Sequence, residues 1–504
     1  MDFSTPDGGD EATLSRRRFV LGSTALVLTL ADLVRPCWRA PRPATRRACV
    51  PARRARARGS GHLVDPCRFG GVGDGQRDDT AALQRAIDAA PHGGGVRIPA
   101  GTWRSGTLRL RSGVTLELAA GATLLASPAA EDFLPPERLH YPTYADLETS
   151  DFRHALLVGE GLARVAIVGR GTIDGNRTER FGPKPIALRR CRDVTVRGIT
   201  IHNAPNYCVS LGGCDDVLID GVVIRNAFSD GIDPDSCRRV RIVNCDVESD
   251  DDAIVLKGSL ILGRPRASED ITVLGCRMRS PSNGFKIGSE TSGDFRRIRV
   301  ARCRISGRPR PDVDPAALAA AAEGGGIAIE AVDGGSIDDV VVSRVELRDV
   351  PVPLFVRLGN RGRGQTSPRP GTIRNLKLRR IVATGASALP SSITGMPNHP
   401  VERVEVRRMR IQASGGGRAP AGPLPAAHGD YPRVDMFGDL PAAVLYVRHA
   451  NDVELRQVEF VTERADRRPL VVAEHATVRH VDASGRERHT ARGPLDRVGR
   501  VVLD

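Results

Sequence analysis

Aromatic residues make up only 4% of the 504-residue chain, and lysine is almost missing. Lys184, Lys257, Lys286 and Lys377 stand against seventy arginines among the 74 basic residues. So few rings exclude a core built on aromatic packing. They also leave no stacking platforms between basic clusters, so nucleic acid is not an expected partner despite a net charge of +14. Half of that charge lies in residues 1–64, where twelve Arg face Asp2, Asp7, Asp10, Glu11 and Asp32. The remaining +7 is a mild positive field that suits an acidic polymer. No CxxC and no Cys/His pair with ligand spacing occurs, so neither a zinc site nor any other metal or cofactor is expected. Long hydrophobic runs are lacking too. The apolar stretch 19–31 is too short, and too soon interrupted by Asp32, for a membrane span.

What is present begins with an address. Ser15-Arg16-Arg17-Arg18-Phe19-Val20-Leu21 resembles a twin-arginine export signal, which predicts export to the periplasm or medium from a leader over 1–34. An uncleaved signal anchor is the alternative. Residues 35–64, rich in Arg, Pro and Ala and free of acids, read as a disordered linker. The rest, 65–504, is expected to form a single catalytic domain with no stable membrane span after signal cleavage, acting as a monomer.

Gly is abundant, at 54 residues, as many short turns require. Segments starting at Cys191 (CRDVTVRGITI), Cys214 (CDDVLIDGVVI) and Cys237 (CRRVRIVNCDV) recur every 23 residues with apolar side chains at the same alternating offsets. The pattern continues from Ser268, Phe295, Ile337, Ile373, Val401 and Ala450, with intervals widened by insertions. This predicts an all-β chain: a right-handed, single-stranded parallel β-helix. Val194, Val217, Val240, Ile271 and Ile298 should stack inside it. Cys191, Cys214 and Cys237 should form one ladder of buried thiols, and Cys245, Cys276 and Cys303 a second. Asp78-Asp79-Thr80 followed by AALQRAIDAA predicts an N-terminal capping helix.

Chemistry concentrates where three coils share a register. Asp230-Gly231-Ile232-Asp233, Asp252-Ala253-Ile254-Val255 and Asn283-Gly284-Phe285-Lys286 fall in successive turns. Asp230, Asp252 and Asn283 should form one row, with Asp251 beside it. Asp233, Val255 and Lys286 should form an outward row, with Lys257 in the row of Asp235. Such crowded carboxylates repel unless one is protonated or a cation is near, which suits acid–base work. Glycoside hydrolysis needs that pairing, one carboxylic acid and one carboxylate. An acidic turn or a calcium site would use the same residue types, and the two lysines could simply be surface salt bridges.

The chain resembles glycoside hydrolase family 28, the polygalacturonases and their relatives, from about 65 to 458. Phe69-Gly70-Gly71-Val72-Gly73-Asp74-Gly75 opens many pectin-active β-helices, while Asp230 to Cys237 and Asp251 to Gly258 look like the family's catalytic motifs. The resemblance implies inverting hydrolysis, with Asp251 as general acid and Asp230 and Asp252 holding the attacking water. It also marks departures. The family's Asn-Thr-Asp is Phe228-Ser229-Asp230, its Gly-His-Gly is Ser282-Asn283-Gly284, and its cationic Arg-Ile-Lys aligns with Ala328-Ile329-Glu330. Asp233, Lys257, Asn283, Lys286 and Glu330 are therefore the candidate substrate-binding set. Arg357 joins them from a segment that resembles bacterial members of the family.

The expected activity is cleavage of a pectin-like polysaccharide that contains uronic acid. Two rivals remain: a polysaccharide lyase on the same scaffold, with Lys286 or Lys257 as base, and a non-catalytic carbohydrate-binding solenoid.

Overall fold

The computed structural model describes residues 62–498 apart from 138, 177–179, 308–323, 483–486 and 492–495, with side chains described as far as 482. The export signal at 1–34 and nearly all of the linker at 35–64 lie outside the described residues.

Each coil contributes short strands separated by turns. Asp215–Asp220, Val223–Ala227 and Ile232–Asp235 make one coil, and Arg238–Val243, Asp246–Ser249 and Ile254–Gly258 the next. Every strand pairs in parallel with its equivalent one coil away: Val217 with Val240, Val223 with Asp246, and Ile232 with Ile254. Parallel neighbours joined in this way wind right-handed, and the result is the right-handed parallel β-helix that the 23-residue period predicts. In the C-terminal half the break between two consecutive strands of a coil closes and they run as one, as in the 14-residue strand Ile373–Ala386.

Alternation decides which residues fill the interior. Val194, Val217, Val240, Ile271 and Ile298 are all buried in one continuous aliphatic core. Val194 pairs with Val217, Val217 with Val240, and Val240 with Ile271. The cysteines at 191, 214, 237, 245, 276 and 303 are buried free thiols in the same core. The backbone N–H of Cys214 donates to Sγ of Cys237 at 3.2 Å. At the corner after each coil start the chain needs a left-handed residue, and non-glycine side chains take it: Asp193, Asp216, Arg239, Asp270 and Arg297 have φ of 54–59°. Asp216 and Asp270 are paired there with Arg239 and Arg297 at 2.7 and 2.6 Å.

At the N-terminal end a helix spans Thr80–Ala89, and its Leu83, Ala86 and Ile87 belong to the main core. The far end departs from the simple repeat. After Val471–Val481 the chain reverses, and Glu487–Ala491 and Asp496–Val498 pair antiparallel with that last strand. Pairing of this kind occupies an edge that would otherwise present free backbone groups. No helix among the described residues is long and apolar enough to cross a membrane.

Candidate active site

The site grows out of one backbone ladder. The N–H of Gly231 donates to the carbonyl of Asp252 at 2.9 Å, that of Ala253 to Asn283 at 2.9 Å, and that of Gly284 to Gly325 at 3.1 Å. Asp230, Asp252 and Asn283 are thereby stacked one coil apart, about 4.8 Å each. The residue after each must be small. A Cβ on Gly231 would lie 2.3 Å from Val247 Cγ1, and one on Gly284 would lie 2.3 Å from Ile305 Cγ2.

Side chains complete the cluster. One oxygen each of Asp230, Asp251 and Asp252 lies within 4.8 Å of the others. The Asp252 N–H is shared between Asp230 Oδ1 at 3.1 Å and Asp251 Oδ1 at 3.0 Å. Asp252 Oδ1 accepts from Asn283 Nδ2 at 2.7 Å, and its Oδ2 lies 3.1 Å from Lys286 Nζ. Lys257 Nζ sits 3.0 Å from both Asp230 Oδ2 and Asp233 Oδ2, and it donates to the Tyr207 hydroxyl at 2.7 Å. That hydroxyl in turn reaches Asp146 Oδ2 at 3.1 Å. Asp251 is the open member, with its side chain 34% exposed and Arg180 at 3.2 Å.

Charge bookkeeping then follows from burial. Lys257 lies among Asp230, Asp233, Tyr207 and Asp146, and these neighbours outweigh its desolvation and hold it protonated, well above the ordinary lysine range. Asp252, Glu330, Tyr431 and Asp251 do the same for Lys286. Burial raises Asp233 to about 7 against the pull of Lys257, and it raises Asp230 well above the carboxylate range. One ammonium thus serves two buried acids. Asp230 has the donors for an anion, whereas Asp233 Oδ1 has no hydrogen-bond partner. Asp251 is raised by desolvation and then by the charge of Asp252, with Lys286 and Arg180 opposing. Two lysines and Arg180 already supply the counter-charge that a cation would bring to these carboxylates.

The profile of Glycosyl hydrolases family 28 matches residues 95–421. The chain belongs to that family. It is 31% identical over 270 residues to a probable polygalacturonase of Vitis vinifera, covering 48% of this chain and 54% of that protein. It is 37% identical over 124 residues to an exo-poly-alpha-D-galacturonosidase of Dickeya chrysanthemi, covering 23% of this chain and 20% of that one. The chain therefore spans about half the length of the first relative and a fifth of the second. The family 28 exopolygalacturonase of Yersinia enterocolitica superposes with a TM-score of 0.63 at 18% identity over 85% of this chain and 79% of that one, a likeness of fold.

Against the family's pattern, the structure brings Asp230, Asp233, Asp251, Asp252, Lys257, Asn283 and Lys286 together. Glu330 is close as well: its Oε2 lies 3.9 Å from Lys286 Nζ, without a hydrogen-bond partner, and burial pushes it up to about 8. Arg357 is different. It pairs in register with Glu330, yet its guanidinium donates to the carbonyls of Gly395 and Ala427 at 3.2 and 2.6 Å and lies over Phe437. Buried, with Arg448 nearby, it is pushed down to about 10. It pins a loop and does not reach the carboxylates. Sequence reasoning missed Arg180, Tyr207 and Tyr431. The ring of Tyr431 lies 5.8 Å from Lys286 Nζ. Tyr207 and Tyr431 are two of only five tyrosines, which is the one signal that could have singled them out.

Proposed function

We propose that the protein hydrolyses glycosidic bonds of an acidic polysaccharide of the pectin type. The observation that carries this reading is the cluster of Asp230, Asp251 and Asp252, with oxygens within 4.8 Å and two lysines bonded into it. Asp251 is the exposed, raised acid that protonates the leaving oxygen. Asp230 and Asp252, each with a lysine ammonium at 3.0–3.1 Å, orient and deprotonate the attacking water. Lys286 has donors left beyond Asp252, because Glu330 at 3.9 Å is too far for a hydrogen bond. Those donors suit a sugar carboxylate, and with Arg180 at the mouth they stand in for the cationic grip replaced by Ala328 and Glu330.

Inversion of configuration rests on family membership. The carboxylate spacing does not carry it, since most inverting enzymes separate their two groups by about 6.5–9.5 Å. Lyase chemistry is the weaker reading, because it needs a neutral basic side chain and both lysines are held protonated by buried acids. Export by the leader at 1–34 and a single catalytic domain over 65–504 complete the proposal.

The test is incubation with polygalacturonate, following reducing ends, ultraviolet absorbance of unsaturated products, and the anomer first formed by NMR. Reducing ends without absorbance support hydrolysis. Unsaturated products would move the chain to the lyases, and binding without cleavage would make it a carbohydrate-binding solenoid.

A further inference from the structure

Stacked coils place equivalent side chains in rows, and two of these rows treat charge in opposite ways. One alternates in sign coil after coil: Asp215, Arg238, Glu269, Arg296, Asp338 and Arg374. Neighbours within it pair, Arg238 with Glu269 at 3.2 Å and Arg374 with Asp338 at 3.1 Å. The corner that follows the same strand does the reverse. Four consecutive coils put Arg302, Arg344, Arg380 and Arg408 in one row, fixed by the flanking pairs Cys303–Val345, Val345–Ile381 and Ile381–Met409.

All four arginines are exposed, and all four take a left-handed backbone with φ of 54–56°. The two preceding coils use Asn244 and Gly275 at this corner, residue types that such a conformation favours. Arginine has no conformational reason to stand there. Arg302, Arg344 and Arg380 form no ion pair with a described residue, and Arg408 donates to Gln457 at 3.0 Å. Like charges on neighbouring strands destabilise a sheet, and this run of them extends about 14 Å. A furrow of about 470 Å³ follows Arg302, Arg344 and Arg380, and a second of about 330 Å³ meets it at Arg304 and Glu346. Glu346 is the acid in both, and Arg304 at 3.3 Å and Arg348 already hold it. Nearby Glu405 is likewise taken by Arg379 at 2.6 Å. No aromatic side chain lines either furrow. The row continues the corner of Asn244, which the strand Asp246–Ser249 separates from Asp251, so the ridge stands apart from the catalytic carboxylates.

We infer that the ridge of Arg302, Arg344, Arg380 and Arg408 is a second binding site, which docks an acidic polysaccharide by its carboxylates and keeps the enzyme on the polymer between cleavages. The identity of the polymer rests on the hydrolase reading above. A polyuronate carries one carboxylate per sugar, so a single strand can meet several unpaired guanidiniums at once, each through charge-assisted hydrogen bonds. Holding one segment at the ridge raises the effective concentration of other segments at the catalytic carboxylates. Nucleic-acid bases find no stacking platform beside the ridge, which leaves charge as the chemistry of recognition.

The experiment combines Arg302→Gln, Arg344→Gln, Arg380→Gln and Arg408→Gln in one variant. A control of equal net charge combines Arg170→Gln, Arg192→Gln, Arg197→Gln and Arg241→Gln, four exposed arginines elsewhere. Retention on immobilised polygalacturonate is measured in an Asp251→Asn background, and kcat/KM on polygalacturonate and on trigalacturonate with Asp251 intact. The ridge variant should bind the polymer about tenfold or more weakly and lose kcat/KM on the polymer, with kcat/KM on the trimer unchanged. The control should match the wild type on both. Its urea midpoint should show the ridge variant folded and no less stable, since repulsion has been relieved. Wild-type retention should also collapse toward 1 M NaCl, where the screening length falls to about 3 Å. Equal losses in ridge variant and control, a parallel loss on the trimer, or retention indifferent to salt would overturn the ridge as a separate site. Ridge-dependent binding to DNA or to phosphatidylglycerol vesicles, with none to polygalacturonate, would overturn the choice of partner. Ridge-dependent retention without cleavage of any acidic polysaccharide would overturn the hydrolase reading and leave the docking site standing.

Discussion

Replacing Lys257 by Met would take away the one ammonium that two buried carboxylates share. Lys257, Asp230 and Asp233 are each no more than 4% exposed, so water cannot replace the lost charge. Breaking a buried pair of this kind costs about 3–5 kcal/mol. The size should depend on pH, and the sign can be worked out. Asp233 is already raised to about 7 and Asp230 lies above its normal range. Without Lys257 both rise further above the value near 3.9 of an unfolded aspartate. Raised acids favour the folded state when protonated, and that advantage fades as pH climbs through their folded pKa values. The deficit of Lys257→Met should therefore be small at pH 5 and approach its full size by pH 8, changing by at most about 1.4 kcal/mol per pH unit for each proton. Urea midpoints at the two pH values measure it, provided the slope of unfolding stays constant. Adding Asp233→Asn should restore much of the stability at pH 8 without restoring turnover. A loss under about 1 kcal/mol and indifferent to pH, as for an exposed ion pair, would refute the reasoning.

Asp251→Asn should lower kcat by about 10²–10⁴-fold, since an amide cannot protonate a leaving oxygen. Its stability should barely move, because the pair with Arg180 is 45% and 34% exposed and contributes at most about 1 kcal/mol; a two- or three-fold loss of kcat counts against the general-acid role. Glu330 is held at about 8 by burial, with Lys286 opposing and Asp252 and Glu290 reinforcing. Wild-type stability should therefore fall as pH rises from about 4.3, the unfolded value, to 8. Glu330→Gln should flatten that slope in denaturation runs at pH 5, 6.5 and 8. Lys286→Met should cost about 1.5–3 kcal/mol in kcat/KM on an acidic substrate and less on its esterified analogue; equal losses would assign Lys286 to holding Asp252 alone. Val240→Asp places an unpaired charge in the aliphatic core, at a residue with 0% exposure, and should abolish soluble folded protein.

The repeat was legible because a solenoid writes its register into the sequence once per coil. The offset of Val240 from Cys237 already places it inside, and the spacing from Asp235 to Lys257 already puts them in one row. That same periodicity says nothing about rotamers. It cannot tell that Lys257 turns from the row of Asp235 to reach Asp230 and Asp233, or that Arg357 turns away toward Ala427. Least legible were the insertions. Tyr431 and Val434 obey no period, and their positions come from packing against Lys286, Ala328 and Phe355, far away in sequence. The departures from the family motifs were visible as letters, yet only the packing of Val434 shows why an alanine suits position 328.

The thiol ladders carry a consequence for how long the folded chain lasts. In the closed solenoid Cys191, Cys208, Cys214, Cys237, Cys245, Cys276 and Cys303 are out of reach, and Cys67 is the exposed cysteine among the described residues. A hydrogen bond with Cys245, with burial adding to it, pushes Cys276 up to about 12, which keeps it the unreactive thiol rather than the nucleophilic thiolate. Once coils part in an oxidising medium, neighbouring sulfurs from successive turns become free to cross-link with any partner. Unfolding then turns into a one-way loss. Working lifetime would be governed by the rate at which the stack first opens, a kinetic quantity, and not by the free-energy gap between its folded and unfolded forms.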